Sequence, residues 1–146
     1  MNIEITSPVS SENFEKYYHL RWEMLRKEMG QKRGTELDEF EEASFHVMAV
    51  NLSNNDVVGV GRIHALNENK FQIRYMAIKG SFQGLKIGTK ILNKLENHIQ
   101  SDKKNKIILH ARENAVIFYK KNGYKIIKKS HKLMDKIQHY LMEKEI

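Results

Sequence analysis

The chain has 146 residues, 40% of them hydrophobic, which fits one ordinary domain with a core of its own. No apolar run is long enough to span a bilayer, and the start Met1-Asn2-Ile3-Glu4-Ile5 lacks the basic and apolar regions of a signal peptide. The formal net charge of +7 attracts anions of every kind, while the absence of cysteine excludes disulfides, thiolate metal sites and a cysteine nucleophile.

In chain order, Ile3 to Thr6 reads as a first strand that Pro8 ends. Ser10 or Ser11 caps a helix whose Phe14, Tyr18, Trp22, Leu25 and Met29 fall on one face, an aromatic stripe expected in the core, and Gly30 stops it. The acidic run Glu36 to Glu42 is expected to form a short helix with a solvated face, or else a rim that favours an amine. Phe45 to Leu52 and Val57 to Ala65 are predicted strands joined by the hairpin turn Ser53-Asn54-Asn55-Asp56. Asn67-Glu68-Asn69 turns the chain into a third strand, Phe71 to Ile78.

A helix is predicted from Leu85 to about Ser101, with Ile87, Ile91, Leu95 and Ile99 four residues apart on one face. Ile107-Ile108-Leu109-His110 is short, apolar and β-branched, as a buried strand should be. A strand, a helix and a strand make a right-handed crossover, so this strand should lie parallel to Phe71–Ile78. A further helix runs from about Glu113 to Asn122 and ends at Gly123. Tyr124 to Lys128 and Ile137 to Met142 are the last strands, around a loop from Ser130 to Lys136. The predicted class is α/β: one domain over 1–146, with a mixed, mostly antiparallel central sheet and helices on both faces.

The stretch between the third strand and the long helix, Phe82-Gln83-Gly84-Leu85-Lys86-Ile87-Gly88-Thr89, carries the chemistry. Glycine lets a ligand approach the backbone closely, and the first N–H groups of a helix lack intrahelical partners and sit at its positive end. Together they suit a phosphate or pyrophosphate. The order Gly88-Thr89-Lys90 does not fit a Walker loop, and Gly-x-Gly-x-x-Gly is absent.

The pattern Gln-Gly-x-x-Ile-Gly-Thr resembles the pyrophosphate loop of the general N-acetyltransferase (GNAT) superfamily, with Lys86 in place of its middle glycine. Ala115-Val116-Ile117-Phe118-Tyr119, followed by Gly123-Tyr124, resembles that superfamily's Ala-x-x-Phe-Tyr-x-x-x-Gly-Phe/Tyr segment. Met134-Asp135-Lys136-Ile137-Gln138-His139-Tyr140-Leu141-Met142 resembles the Glu-x-Gly-Ile-Pro-His-x-x-Met ending of small bacterial ElaA-like members, with Gln138 replacing the proline. The order of elements matches that fold throughout.

The resemblance implies an N-acetyltransferase that moves an acetyl group from acetyl-CoA to a primary amine. The acyl-pantetheine would enter where two sheet strands splay apart. Gln83, Gly84, Leu85, Lys86, Ile87, Gly88 and Thr89 would hold the pyrophosphate. Met76, Ala77 and Ile78 would bond the pantetheine through backbone groups, with Asn114 and Phe118 also on the coenzyme. Tyr119 would contact the coenzyme and protonate the departing sulfur. With no cysteine for an acyl-enzyme, the amine should attack directly in a ternary complex. A central-strand glutamate common in related sequences is missing, since Gln72, Arg74 and Tyr75 occupy its region. His110, in the strand after the crossover, is the candidate base, with His139 of the terminal strand or a water relay as the alternatives. Arg74, Tyr75 and His139 are candidate acceptor contacts.

No metal is expected, because Asp, Glu and His show no ligand spacing. The expected partners are acetyl-CoA and an amine, not nucleic acid, for which no recognition motif is present, nor a membrane. The expected state is a cytoplasmic monomer or homodimer. The alternative reading is a non-catalytic acyl-CoA-binding module, motivated by the missing glutamate and by Lys86.

Overall fold

A computed structural model of the chain describes residues 2–99 and 103–146. It contains a seven-stranded sheet of order β1-β2-β3-β4-β5-β7-β6. The strands are β1 (Ile3–Thr6), β2 (Phe45–Asn51), β3 (Asp56–Ala65), β4 (Lys70–Ile78), β5 (Lys106–Arg112), β6 (Lys125–Leu133) and β7 (Ile137–Glu145). The helices are α1 (Ser11–Leu25), α2 (Ile87–Asn97) and α3 (Val116–Lys121). The pairs β1–β2, β2–β3, β5–β7 and β6–β7 are antiparallel, while β4 and β5 are parallel, as the crossover requires. The parallel ladder joins Lys70 to Lys106, Phe71 to Ile107 and Gln72 to Ile108.

The chain packs as two compact units, Met1–His64 with Tyr75–Gln100, and Ala65–Arg74 with Ser101–Ile146. In the first unit, α1 begins where Ser10 accepts a hydrogen bond from the Asn13 N–H, 3.1 Å away. Its buried residues are Tyr17, Leu20 and Arg21, which shifts the core face from the expected aromatic stripe. Tyr17 and Leu20 pack with Met48, Val50, Val57 and Val60, and Phe14 and Tyr18 flank that cluster. Trp22 instead turns its indole N–H to the Gln31 carbonyl, at 2.8 Å. The sequence hides the true face because it includes an arginine.

Met48 pairs with Val60 on the α1 face, so their neighbours Ala49, Gly59 and Gly61 belong to the opposite face. There α2 presses down. A Cβ on Gly59 would lie 2.9 Å from Ile91 Cδ1, and one on Gly61 3.0 Å from Ile91 Cγ2 and 3.2 Å from Leu95 Cδ1. Helices therefore cover both faces of this part of the sheet.

Three local expectations are corrected. Residues 36–42 form turns rather than a helix, because their carboxylates are drawn to buried arginines. Helix α2 spans Ile87–Asn97, with Lys86 as its N-cap, and the end expected at Ser101 lies outside the described residues. Strand β6 runs to Leu133, so the expected loop shrinks to a tight hairpin. Met134 and Asp135 both have positive φ there, and the Lys136 N–H bonds the Leu133 carbonyl at 3.0 Å.

Candidate active site

In the first unit, β4 ends at Ile78, a single 3₁₀ turn follows at Gly80–Phe82, and α2 starts at Ile87. Gly84 (φ 82°) and Lys86 (φ 64°) both take the left-handed conformation. Lys86 therefore occupies a backbone geometry that favours glycine, at an expected cost of roughly 1–2 kcal/mol. As N-cap it has no side-chain acceptor, and α2 carries no side-chain cap bond. The amides at the entrance of α2 thus keep the character of an anion site. A Cβ built on Gly84 meets nothing within 4 Å, so the approach is open. Ile87 is buried and anchors the turn, whereas Leu85 stays exposed. The Gln83 side chain folds back and donates to the Ile78 carbonyl at 3.0 Å.

Immediately before Met76, Ala77 and Ile78, Tyr75 sits in the left-handed region with φ 61° although it lies within a strand. Its ring is nearly buried, and three guanidiniums lie over it, Arg21 at 4.4 Å, Arg62 at 5.0 Å and Arg26 at 5.7 Å from the ring centre. Arg21 and Arg62 are fully buried, and one carboxylate joins them. Glu41 Oε1 accepts from Arg21 at 2.9 Å and Glu41 Oε2 from Arg62 at 2.6 Å. Asp38 takes Arg62 through both oxygens, at 2.6 and 2.9 Å. The Tyr17 hydroxyl accepts from Arg21 at 3.1 Å and lies 2.8 Å from His46 Nδ1. Burial lowers the His46 pKa, leaving it neutral near pH 7, and raises that of the Tyr17 phenol.

In the second unit, a 3₁₀ turn at Glu113–Ala115 holds exposed Asn114 and leads into α3. Gly123 (φ 93°) closes α3, and the Tyr124 N–H returns to the Tyr119 carbonyl at 3.0 Å. Tyr119 is buried between Phe118 and Tyr124, with ring centres 5.0 and 5.8 Å away. Burial alone pushes its phenol pKa up, so the proton stays on oxygen at neutral pH.

The same unit gathers three histidines from three strands. His110 of β5 lies 5.3 Å, ring to ring, from His131 of β6, which stacks at 4.3 Å on His139 of β7. His110 Nδ1 is 2.9 Å from the Ser130 hydroxyl, and His139 Nδ1 donates to the Ile137 carbonyl at 3.0 Å. Burial is the largest cause lowering the pKa of all three, and takes His139 to about 4. Arg74 adds its charge to the effect on His110 and His131. Among the described residues, no group of three or more His, Asp or Glu side chains is placed to hold a metal ion.

The acetyltransferase (GNAT) domain family matches residues 5–146, nearly the whole chain. The chain belongs to the GNAT acetyltransferase family. It is 26% identical over 136 residues to the uncharacterized N-acetyltransferase YjcF of Bacillus subtilis, covering 93% of this chain and 95% of that one. Its fold is similar to that of Escherichia coli ElaA, with TM-score 0.74, 19% identity and 98% of each chain covered. An aminoglycoside 6'-N-acetyltransferase crystallised with coenzyme A superposes with TM-score 0.77 at 18% identity, over 99% of this chain and 97% of that one.

Among the GNAT residues expected from sequence, Tyr75 to Ile78 and Gln83 to Thr89 lie along one strand–turn–helix path of the first unit. Asn114, Phe118 and Tyr119 lie along another, in the second unit. His110 and His139, named separately from the sequence, share one cluster with His131, which the sequence reading placed in a loop, and the Arg74 charge acts on His110 and His131. The buried arginine cluster was missed too. Its available signal was an arginine alternating with valine, glycine and histidine along the otherwise apolar strand β3.

Proposed function

We propose that this GNAT protein is an acetyl-CoA-dependent N-acetyltransferase whose primary-amine acceptor attacks the thioester directly. The observation that carries the reading is the entrance of α2, where Gly84 and left-handed Lys86 precede helix amides that no side chain caps. Those amides, from Gly84 to Thr89, bind the diphosphate, and the Lys86 charge adds attraction. The backbone of Met76, Ala77 and Ile78 bonds the pantetheine, with Asn114 and Phe118 steadying the arm.

In the reaction the amine nitrogen bonds the carbonyl carbon and the carbon–sulfur bond breaks. Tyr119, kept protonated by burial, gives its proton to the departing sulfur. His110, held unprotonated by burial and by neighbouring cations, takes the proton of the amine. Without a cysteine, no acyl-thioester intermediate forms on the chain.

A thermal-shift titration tests the reading. Acetyl-CoA at ~100 times its dissociation constant should add about 2.7 kcal/mol of stability and raise the melting temperature by several degrees. Gly84→Val should abolish most of that rise, since a branched side chain is strained at positive φ and would fill the open approach that the ligand needs. No rise in the wild type at saturating acetyl-CoA would overturn the proposal. A rise without acetylation of any amine would instead identify a binding module.

A further inference from the structure

Among the described residues, Tyr75 alone takes a positive φ inside a strand. Asn55, Met134 and Asp135 do so in hairpin turns, and Lys86 at a helix entrance. A bulky side chain is disfavoured at this angle, which persists only where the surroundings impose it. The Tyr75 ring is held by guanidiniums that are themselves fixed. Arg21 donates to Glu41, to the Glu36 carbonyl and to the Tyr17 hydroxyl, at 2.9, 3.1 and 3.1 Å. Arg62 is bound through both of its terminal nitrogens to Asp38, and also to Glu41. The ring is thus pinned from α1, from β3 and from the turns at 36–41, all within the first unit. The side chains after Tyr75 do not require the strained angle. A Cβ built on Gly61 lies 3.1 Å from Met76 Cγ, and one on Gly59 3.0 Å from Ile78 Cδ1, both on the α2 face. Ala77 packs with the α1 cluster instead. From Tyr75 onward the strand therefore keeps its ordinary alternation of faces. What a left-handed residue changes is the aim of the peptide groups beside it, as bulges do next to active sites.

We infer that Arg21 and Arg62, joined through Glu41, are positioning residues for coenzyme binding. They act through Tyr75. By holding its ring they hold its backbone in the left-handed conformation, and that angle aims the peptide groups of Met76 to Ile78 at the pantetheine. This rests on the transferase reading, in which those peptide groups bond the coenzyme. Burial of the cluster alone would be served as well by an aromatic ring at an ordinary strand angle. The consequence is that coenzyme affinity follows the backbone preference of residue 75 and not the volume packed there. Glycine accepts a φ of 61° without penalty, whereas valine, branched at Cβ, resists it. Valine fills more of the space left by the ring and suits a strand better, so packing and backbone preference rank the two in opposite orders.

The test is a calorimetric titration of the full chain with coenzyme A, with the urea midpoint of each variant as the measure of packing. Tyr75→Val should weaken binding about tenfold, and Tyr75→Gly by no more than about threefold. The urea midpoints should run the other way, with the glycine variant the less stable. Affinities that follow the midpoints would make Tyr75 an ordinary core residue and overturn the inference. The arginines are tested by a double-mutant cycle. Arg62→Lys keeps the charge but loses the planar fork. It should weaken coenzyme A binding about fivefold with Tyr75 in place, and less than about twofold in the Tyr75→Gly background, because the clamp acts only through the ring. Equal losses in the two backgrounds would overturn the clamp. This arm needs no valine variant, so it decides the matter even if that variant fails to fold. A wild type that does not bind coenzyme A would overturn the transferase reading and this inference together. A wild type that binds, beside valine and glycine variants of equal affinity, would overturn the inference alone.

Discussion

At the scale of single residues, Tyr75 holds an unfavourable backbone angle just before the strand end proposed to grip the coenzyme. The left-handed conformation costs roughly 1–2 kcal/mol. Two buried cations over the ring act against that cost, each contact contributing about 2 kcal/mol before the cost of burying the arginines. The arrangement depends on Glu41, which bridges both arginines. Glu41→Gln leaves that charge uncompensated in the interior and should cost about 3–5 kcal/mol, read as a lower urea midpoint. The exposed pair Arg33–Glu15 supplies the contrast: Glu15→Gln should change stability by less than about 1 kcal/mol. Equal midpoints for the two variants would show that Asp38 neutralises the arginines without help. In the proposed chemistry, Tyr119→Phe keeps the ring packing but loses the proton. Turnover should fall about a hundredfold with the acetyl-CoA thermal shift retained, and unchanged turnover would remove Tyr119 from the mechanism.

At the scale of elements, α2 approaches the sheet closely because β3 presents glycine where they meet. Gly61→Val would drive a branched side chain into Ile91, Met76 and Leu95, and overpacking of this kind costs about 1–3 kcal/mol. Because α2 carries the proposed diphosphate entrance, the variant should also weaken coenzyme A binding in a calorimetric titration. Wild-type affinity and stability would mean that the helix can shift outward freely. The first four strands were legible to within a residue, since alternation and turn residues are local signals, while the last three ran longer than expected. The glycine turn was legible for the same reason. What stayed hidden depends on distant partners. The carboxylates of residues 36–42 read as a helix because their arginines lie on α1 and β3. Strand β6 read as ending early because its hairpin puts Met134, an ordinary residue, at positive φ. That error removed His131 from view, since a loop has no face on which to align it with His110 and His139.

At the scale of the whole molecule, the chain carries more basic than acidic residues and seven histidines, so acid adds charge to a chain already at +7. Four of those histidines, His46, His110, His131 and His139, have pKa values lowered in the folded state, with burial the largest cause in each case. Their shifts act in one direction. Above the ordinary value of 6.5 neither the folded nor the unfolded chain protonates them, and stability is unaffected. As pH falls below 6.5 the unfolded chain binds protons first, so stability drops, and for His139 the drop continues to about pH 4. The melting temperature, scanned at fixed ionic strength, should therefore fall steadily between those two values. His139→Gln removes one of the linked protons, and each proton contributes a slope of about 1.4 kcal/mol per pH unit at most. The variant's curve should run flatter than the wild type's over this range and parallel to it above pH 7. His131→Gln, at an exposed ring, should flatten the curve less. Parallel curves for His139→Gln throughout would mean that His139 titrates alike in both states, and that the acid sensitivity comes from general charge repulsion instead.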